Sequence, residues 1–132
     1  LPFPSGAALD RLAETSEKTY RPNISIKNGD CALSGLENQC RDMVNYRENS
    51  CDVANYCVTA IVRTVERMVE QARKAHGALP VLFCGGVSAN SRLRRQFGEH
   101  TAHFAAPDFS TDNACGVALH AHRMAGKDET SR

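Results

Sequence analysis

No two of the six cysteines in this 132-residue chain are spaced Cys-x-x-Cys. The usual spacing of a zinc site is therefore missing. A His-Glu-x-x-His motif is absent too, and no nucleophile, histidine and acid fall into a credible set, which disfavours a peptidase. No apolar run reaches membrane-spanning length, and no stretch has a signal-peptide pattern. The expectation is a cytoplasmic protein with no membrane partner. A surplus of one charge sign is also lacking: 16 basic against 15 acidic residues leave a net charge of +1. Strong non-specific nucleic-acid binding has no electrostatic footprint here, so any RNA contact must be local or shared with partners. Repeats and low-complexity segments do not occur.

What is present suits one compact α/β domain with a modest core. The apolar fraction is 42% and the charged fraction 23%, both ordinary. The chain starts with Leu1, directly inside a motif, so an excised or truncated piece of a longer protein is expected. Cys57, Cys84 and Cys115 fall in apolar segments and read as small buried hydrophobes. Cys31, Cys40 and Cys51 could pair only in an oxidising setting. Asn23-Ile24-Ser25 matches a glycosylation acceptor by chance.

Periodicity predicts a short helix over Ala7 to Thr15 and extended structure over Ile24 to Lys27. Asn28-Gly29-Asp30 signals a turn, followed by a weak strand at Cys31 to Leu33 and a polar helix from Leu36 to Arg47. The strongest element is a helix from Cys51 to His76. Ala54, Cys57, Ile61, Val65, Met68 and Ala72 form its apolar stripe. Ser50 or Asp52 can cap its start, and Gly77 is its C-cap. A short strand is expected at Ala102 to Ala106. A final helix is expected from Thr111 to Met124, ended by Gly126, then a disordered polar tail over residues 127–132.

The most informative stretch is Val81-Leu82-Phe83-Cys84-Gly85-Gly86-Val87-Ser88-Ala89-Asn90. Pro80 to Cys84 reads as a buried strand, and Ser91 to Phe97 as a helix. A strand ending in Gly-Gly before a helix lets a ligand approach bare backbone. The helix start then offers unpaired N–H groups to an anion. Close packing of a helix on a sheet explains the same glycines.

Two further segments add weight: Leu1-Pro2-Phe3-Pro4-Ser5-Gly6-Ala7-Ala8-Leu9-Asp10 and Ala105-Ala106-Pro107-Asp108-Phe109-Ser110-Thr111-Asp112-Asn113-Ala114. With Ser34-Gly35-Leu36-Glu37 between them, the four stretches, in this order, resemble the C-terminal part of the TsaD family. These are tRNA threonylcarbamoyladenosine transferases, formerly called glycoproteases. The resemblance covers nearly the whole chain. It implies one lobe, or part of one, of the actin/Hsp70/sugar-kinase (ASKHA) superfold: residues 1–126, a short sheet covered by helices. In that fold nucleotide lies in a cleft between two lobes.

The resemblance also assigns roles. Gly6 matches a glycine that lines the nucleotide-derived substrate, and Gly85 and Gly86 match the Gly-Gly turn. Asp10, one helical turn after Gly6, would accept hydrogen bonds from ribose hydroxyls; it reads equally as a surface residue balanced by Arg11 or Glu14. Asn90 would meet a purine edge or a sugar hydroxyl, or else bond backbone in the first helical turn. Asp112 matches a metal-ligand aspartate, or else caps a helix.

A divalent ion (iron, zinc or magnesium) is implied, with two histidines of a His-x-x-x-His motif from the missing lobe as its other ligands. No histidine pair here has that spacing; His100 and His103, and His120 and His122, read as surface pairs. Arg92, Arg94 and Arg95 read as a solvated helix face.

Implied ligands are an adenine nucleotide or threonylcarbamoyl-adenylate, and implied partners are tRNA and TsaB/TsaE-like or KEOPS-like proteins. No catalytic side chain is assigned, and the chain alone is expected to be inactive and to self-associate. Ser5 replaces a glycine and Glu37 a lysine of the family pattern, marking a divergent member. The alternatives are a non-catalytic ASKHA-type nucleotide-binding or interaction module and, more remotely, a metallo-glycoprotease.

Overall fold

In the computed structural model, residues 1, 5–27, 29–106 and 114–129 are described. Five helices and four short strands follow one another along them. Helix α1 (Gly6–Glu14) leads into the antiparallel hairpin β1 (Ser25–Lys27) and β2 (Asp30–Ala32). Helix α2 (Ser34–Asn45) and the long α3 (Ser50–His76) come next. Strand β3 (Leu82–Phe83), a 3-10 turn (Gly86–Ala89), α4 (Ser91–Thr101) and β4 (His103–Phe104) form the second unit. Helix α5 (Ala114–Glu129) is the last described element.

The α/β expectation holds in a coarse form: helices dominate, and the strands make two separate two-stranded sheets. One is the β1–β2 hairpin. The other pairs β3 with β4 in parallel, Leu82 opposite His103 and Phe83 opposite Phe104. Parallel strands need a crossover between them, and α4 supplies it. Phe83 stacks on Phe104 with centroids 4.8 Å apart and also meets Phe97 of α4. Strand β3 is shorter and more open than the expected buried strand. Leu82 is 69% exposed, because α4 covers one face and no described element covers the other.

Helix α3 is the organising element. Gly77 ends it at φ 82°, where a glycine carries no side-chain penalty. Its start differs from expectation. The N-cap is Asn49, and neither Ser50 nor Asp52 caps it. The buried line also lies one step round from the expected stripe: Ala54, Val58 and Val62 join Ala13 of α1 and Leu93 of α4 in the core. Cys57, Ile61, Val65 and Met68 are only half-buried, and Ala72 is exposed. The reason is that α3 is packed from two sides. Helices α1 and α4 take the Ala54–Val62 line, while α2 takes the flank that carries Cys57.

Other boundaries shift by a few residues, as fraying ends do. Helix α2 starts at Ser34 rather than Leu36. Helix α4 runs past Phe97 to Thr101 across a kink at Gly98 (φ 60°). Helix α5 continues through Gly126 to Glu129, so residues 127–129 are helical rather than tail. Cys84 is exposed, contrary to expectation, because it follows the open strand β3. The side chain of Cys115 and all of Thr111 and Asp112 lie outside the described residues.

Candidate functional site

Asp10 and Asn90 stand 80 positions apart in sequence, yet their side chains meet. Asn90 Nδ2 donates to Asp10 Oδ1 at 2.7 Å. The backbone N–H of Ser91 donates to Asp10 Oδ2 at 2.9 Å. Asn90 is the N-cap of α4, with extended backbone (φ −60°, ψ 128°) and its Oδ1 accepting from Leu93 N–H at 2.9 Å. A carboxylate from α1 thus sits on the positive end of α4, where free N–H groups and the helix dipole favour it. The backbone-capping alternative for Asn90 is realised, and Asp10 faces α4 rather than solvent.

The Gly-Gly turn runs directly into this contact. Gly85 has φ 95°, a region that only glycine enters freely. Its carbonyl accepts from Ser88 Oγ at 2.7 Å and from Ser88 N–H at 2.9 Å. Ser88 is therefore buried and satisfied, and the turn is held as a 3-10 loop. A Cβ built on Gly6, Gly85 or Gly86 would meet nothing within 4 Å. These backbones stay open to an approaching group. Gly6 opens α1, and Ser5 before it has φ −84°, so serine in place of glycine brings no backbone strain there.

Arg92 and Arg94 are half-buried rather than part of a solvated face, while Arg95 is exposed as expected. Arg92 donates to Asn55 Oδ1 at 2.6 Å and Thr59 Oγ1 at 2.8 Å. Arg94 donates to the carbonyls of Ser88 (3.0 Å) and Ala105 (2.8 Å) and lies over the Phe104 ring. Arg95 pairs with Glu14 of α1. All three tie α4 to its surroundings, because a guanidinium has enough donors to bridge separate segments. Glu37 pairs with Arg41 on its own helix. His103, His120 and His122 are exposed, as expected of surface histidines.

A polar network beside the site escaped the sequence reading. Asp52, only 4% exposed, accepts from Ser16 Oγ at 2.6 Å and pairs with Lys18 Nζ at 2.9 Å. Asn55 Nδ2 donates to Ser16 Oγ and to the Lys18 carbonyl. Arg92 closes the chain to α4. The signal was there in Asp52, Asn55 and Thr59, which repeat at three- and four-residue steps beside the apolar stripe.

The Ser16 hydroxyl first, and the Lys18 ammonium second, hold the Asp52 carboxyl below the usual aspartate range. A depressed folded pKa stabilises the fold above the unfolded value of about 3.9, and that share is lost as pH falls through the folded value. Asp52→Asn is therefore expected to flatten the acid limb of stability. Melting curves from about pH 2 to about pH 6 check this. An unchanged acid limb in the variant would count against the network.

Comparison with known proteins bears on what this arrangement serves. The family model described as "TsaD: tRNA N6-adenosine threonylcarbamoyltransferase" matches residues 1–119. The chain belongs to the TsaD family. Among curated TsaD relatives, a tRNA N6-adenosine threonylcarbamoyltransferase of Herminiimonas arsenicoxydans is 33% identical, over 90% of this chain and 40% of its own length. The enzyme of the same name from Carboxydothermus hydrogenoformans is 32% identical, over 89% of this chain and 39% of its own. That from Pelodictyon phaeoclathratiforme is 29% identical, over 89% and 41%. The chain thus spans about 40% of the length of these TsaD relatives. No helix among the described residues is long and apolar enough to cross a membrane.

Proposed function

We propose that this chain is the C-terminal lobe of a tRNA N6-adenosine threonylcarbamoyltransferase of the ASKHA fold. In this reading it supplies one wall of a cleft for threonylcarbamoyl-adenylate. The observation that carries the proposal is the Asp10–Asn90 contact, set beside the Gly85–Gly86 turn in a chain of this family. The carboxylate of Asp10 uses two acceptor sites on the protein and keeps lone pairs for ribose hydroxyls. Asn90 keeps one amide hydrogen and one lone pair for a purine edge. The open glycine backbones let a phosphate or sugar come close.

The metal of this reading would polarise the carbamoyl carbonyl. Asp112 is its proposed ligand, with the remainder supplied from beyond this chain. Among the described residues no three His, Cys, Asp or Glu side chains converge. The described residues do not make a metal site by themselves. One wall of a cleft does not transfer a group, so the chain alone is expected to be inactive. Transfer to tRNA would need the other lobe and partner proteins.

The test is titration of a fluorescent adenine nucleotide. Weak binding is expected for the chain, reduced at least about tenfold by Asp10→Ala, as loss of charged hydrogen bonds predicts. Circular dichroism confirms folding. Affinity unchanged in that variant overturns the site. A second reading, a divergent non-catalytic nucleotide-binding or interaction module, is favoured by Glu37, an acid where the family pattern has lysine; no transfer when the other lobe and partner proteins are supplied would point to it.

Self-association is expected as well. Leu79, Leu82 and Val87 are exposed beside an open apolar groove of about 670 Å³ lined by Met68, Val69, Ala72 and Phe83. Monomers rarely tolerate a large apolar patch. Sedimentation across a concentration series checks this, and a strict monomer throughout would refute it.

A further inference from the structure

Cys40 of α2 and Cys57 of α3 sit on helices that pack together, each next in sequence to one partner of the Gln39–Tyr56 hydrogen bond, and the two thiols are close enough to influence each other. Both are free and half-buried. The residues just before them already join the two helices: Tyr56 Oη donates to Gln39 Oε1 at 2.9 Å. Nothing in the proposed nucleotide site uses either sulfur. We propose that Cys40 and Cys57 are a dithiol site that a small-molecule disulfide of the glutathione class converts to an intramolecular disulfide, clamping α2 onto α3.

The step balances. One thiol loses its proton and attacks the small disulfide, and one half of that disulfide leaves as a thiolate. The second protein thiol then attacks the mixed disulfide and releases the other half as thiolate. The two protein sulfurs are oxidised, the reagent's two sulfurs are reduced, and the two protons go to the released thiols. Burial keeps both protein thiols protonated at neutral pH, Cys40 being pushed up to about 11. Since the thiolate is the attacking form, the pair responds slowly to brief oxidant exposure and closes under sustained oxidation.

The consequence lies at the start of α2, which carries Ser34-Gly35-Leu36-Glu37. No tertiary hydrogen bond other than Gln39–Tyr56 ties α2 to α3 among the described residues. A covalent bond one residue along would fix this helix and close a short loop through residues 46–49. Loop closure of this kind restrains the unfolded chain and raises the melting temperature. The inference is independent of the proposed nucleotide chemistry.

The experiment uses the full chain. It is incubated with oxidised glutathione, the remaining thiols are blocked, and peptides are mapped by mass spectrometry without reduction. The expected result is a linked peptide pair containing Cys40 and Cys57, two hydrogens lighter than the free peptides. A higher melting temperature that returns to baseline with reductant should accompany it. The same map is made on a chain with Cys31, Cys51, Cys84 and Cys115 all replaced by serine, which should still form the link. Cys57→Ser should abolish both the link and the shift. Glutathione adducts on Cys40 or Cys57 without a link, or links confined to the exposed Cys31 and Cys84, would overturn the proposal.

Discussion

Leu93→Ala is expected to lower the stability of this chain by about 3–5 kcal/mol, at the upper end of the range for buried leucines. Leu93 is 2% exposed and sits where α1, α3 and α4 meet. Its buried neighbours are Ala13, Ala54, Val58 and Val62. The two alanines have no side chain that could swing into a hole, and the two valines are held to one rotamer on their helix. The cavity should therefore stay open, and the lost transfer energy and lost contacts add. Against a total of about 5–15 kcal/mol for a domain of ordinary stability, such a loss removes a large share of the total, and near the lower end of that range it leaves an appreciable unfolded fraction. Chemical denaturation of the variant and of Leu119→Ala measures it. Leu119 is 51% exposed, and its loss should stay within about 0.5 kcal/mol. A cost below about 1 kcal/mol for Leu93→Ala would place the core elsewhere.

That core was half legible in the sequence. Helix α3 was found to within one residue at each end, because the three- and four-step repeat and the Gly77 stop are local signals. Which flank of α3 is deepest was not legible. Periodicity shows that a helix has an apolar side, but it does not say that α1, α2 and α4 divide that side between them. The small sheets show the same limit. Pro80 to Cys84 looks like a buried strand by composition, yet burial depends on a covering layer, and no described element covers its outer face. Arg92, Arg94 and Arg95 misled for a related reason. A run of charge usually means solvent, and only the fold reveals that Asn55 and Thr59 wait for Arg92, Ser88 and Ala105 for Arg94, and Glu14 for Arg95. Gly6, Asp10, Gly85, Gly86 and Asn90 were singled out through the resemblance of short motifs. The bond between Asp10 and Asn90 was not, since it joins segments 80 positions apart.

That bond should show as strong coupling between distant positions. Asn90→Ala removes both the cap on Leu93 N–H and the donor to Asp10. The cap alone is worth about 0.5–2 kcal/mol. A hydrogen bond to a charged group is worth about 1.5–3 kcal/mol, and partial exposure here favours the lower part of that range. The single variants Asp10→Ala and Asn90→Ala should therefore sum to more than the double variant loses, with a coupling of about 1–2 kcal/mol. Residues touching through one bond behave this way, whereas separate surface sites add.

A charge exchange sharpens the test. Asn90→Asp keeps a side-chain oxygen for the cap but sets a second carboxylate against Asp10. Repulsion should destabilise this variant at neutral pH although the cap survives. Adding Asp10→Asn returns a donor to the pair and reverses the polarity of the bond, so the double exchange should recover most of the loss. The Ser91 N–H, now facing a neutral amide, should keep recovery short of complete. Rescue requires that the two side chains touch in solution, because capping by itself gives no reason for position 10 to notice the charge at position 90. If Asp10→Asn makes Asn90→Asp worse, or leaves it unchanged, the contact between α1 and the start of α4 does not form, and the proposed nucleotide wall loses its foundation.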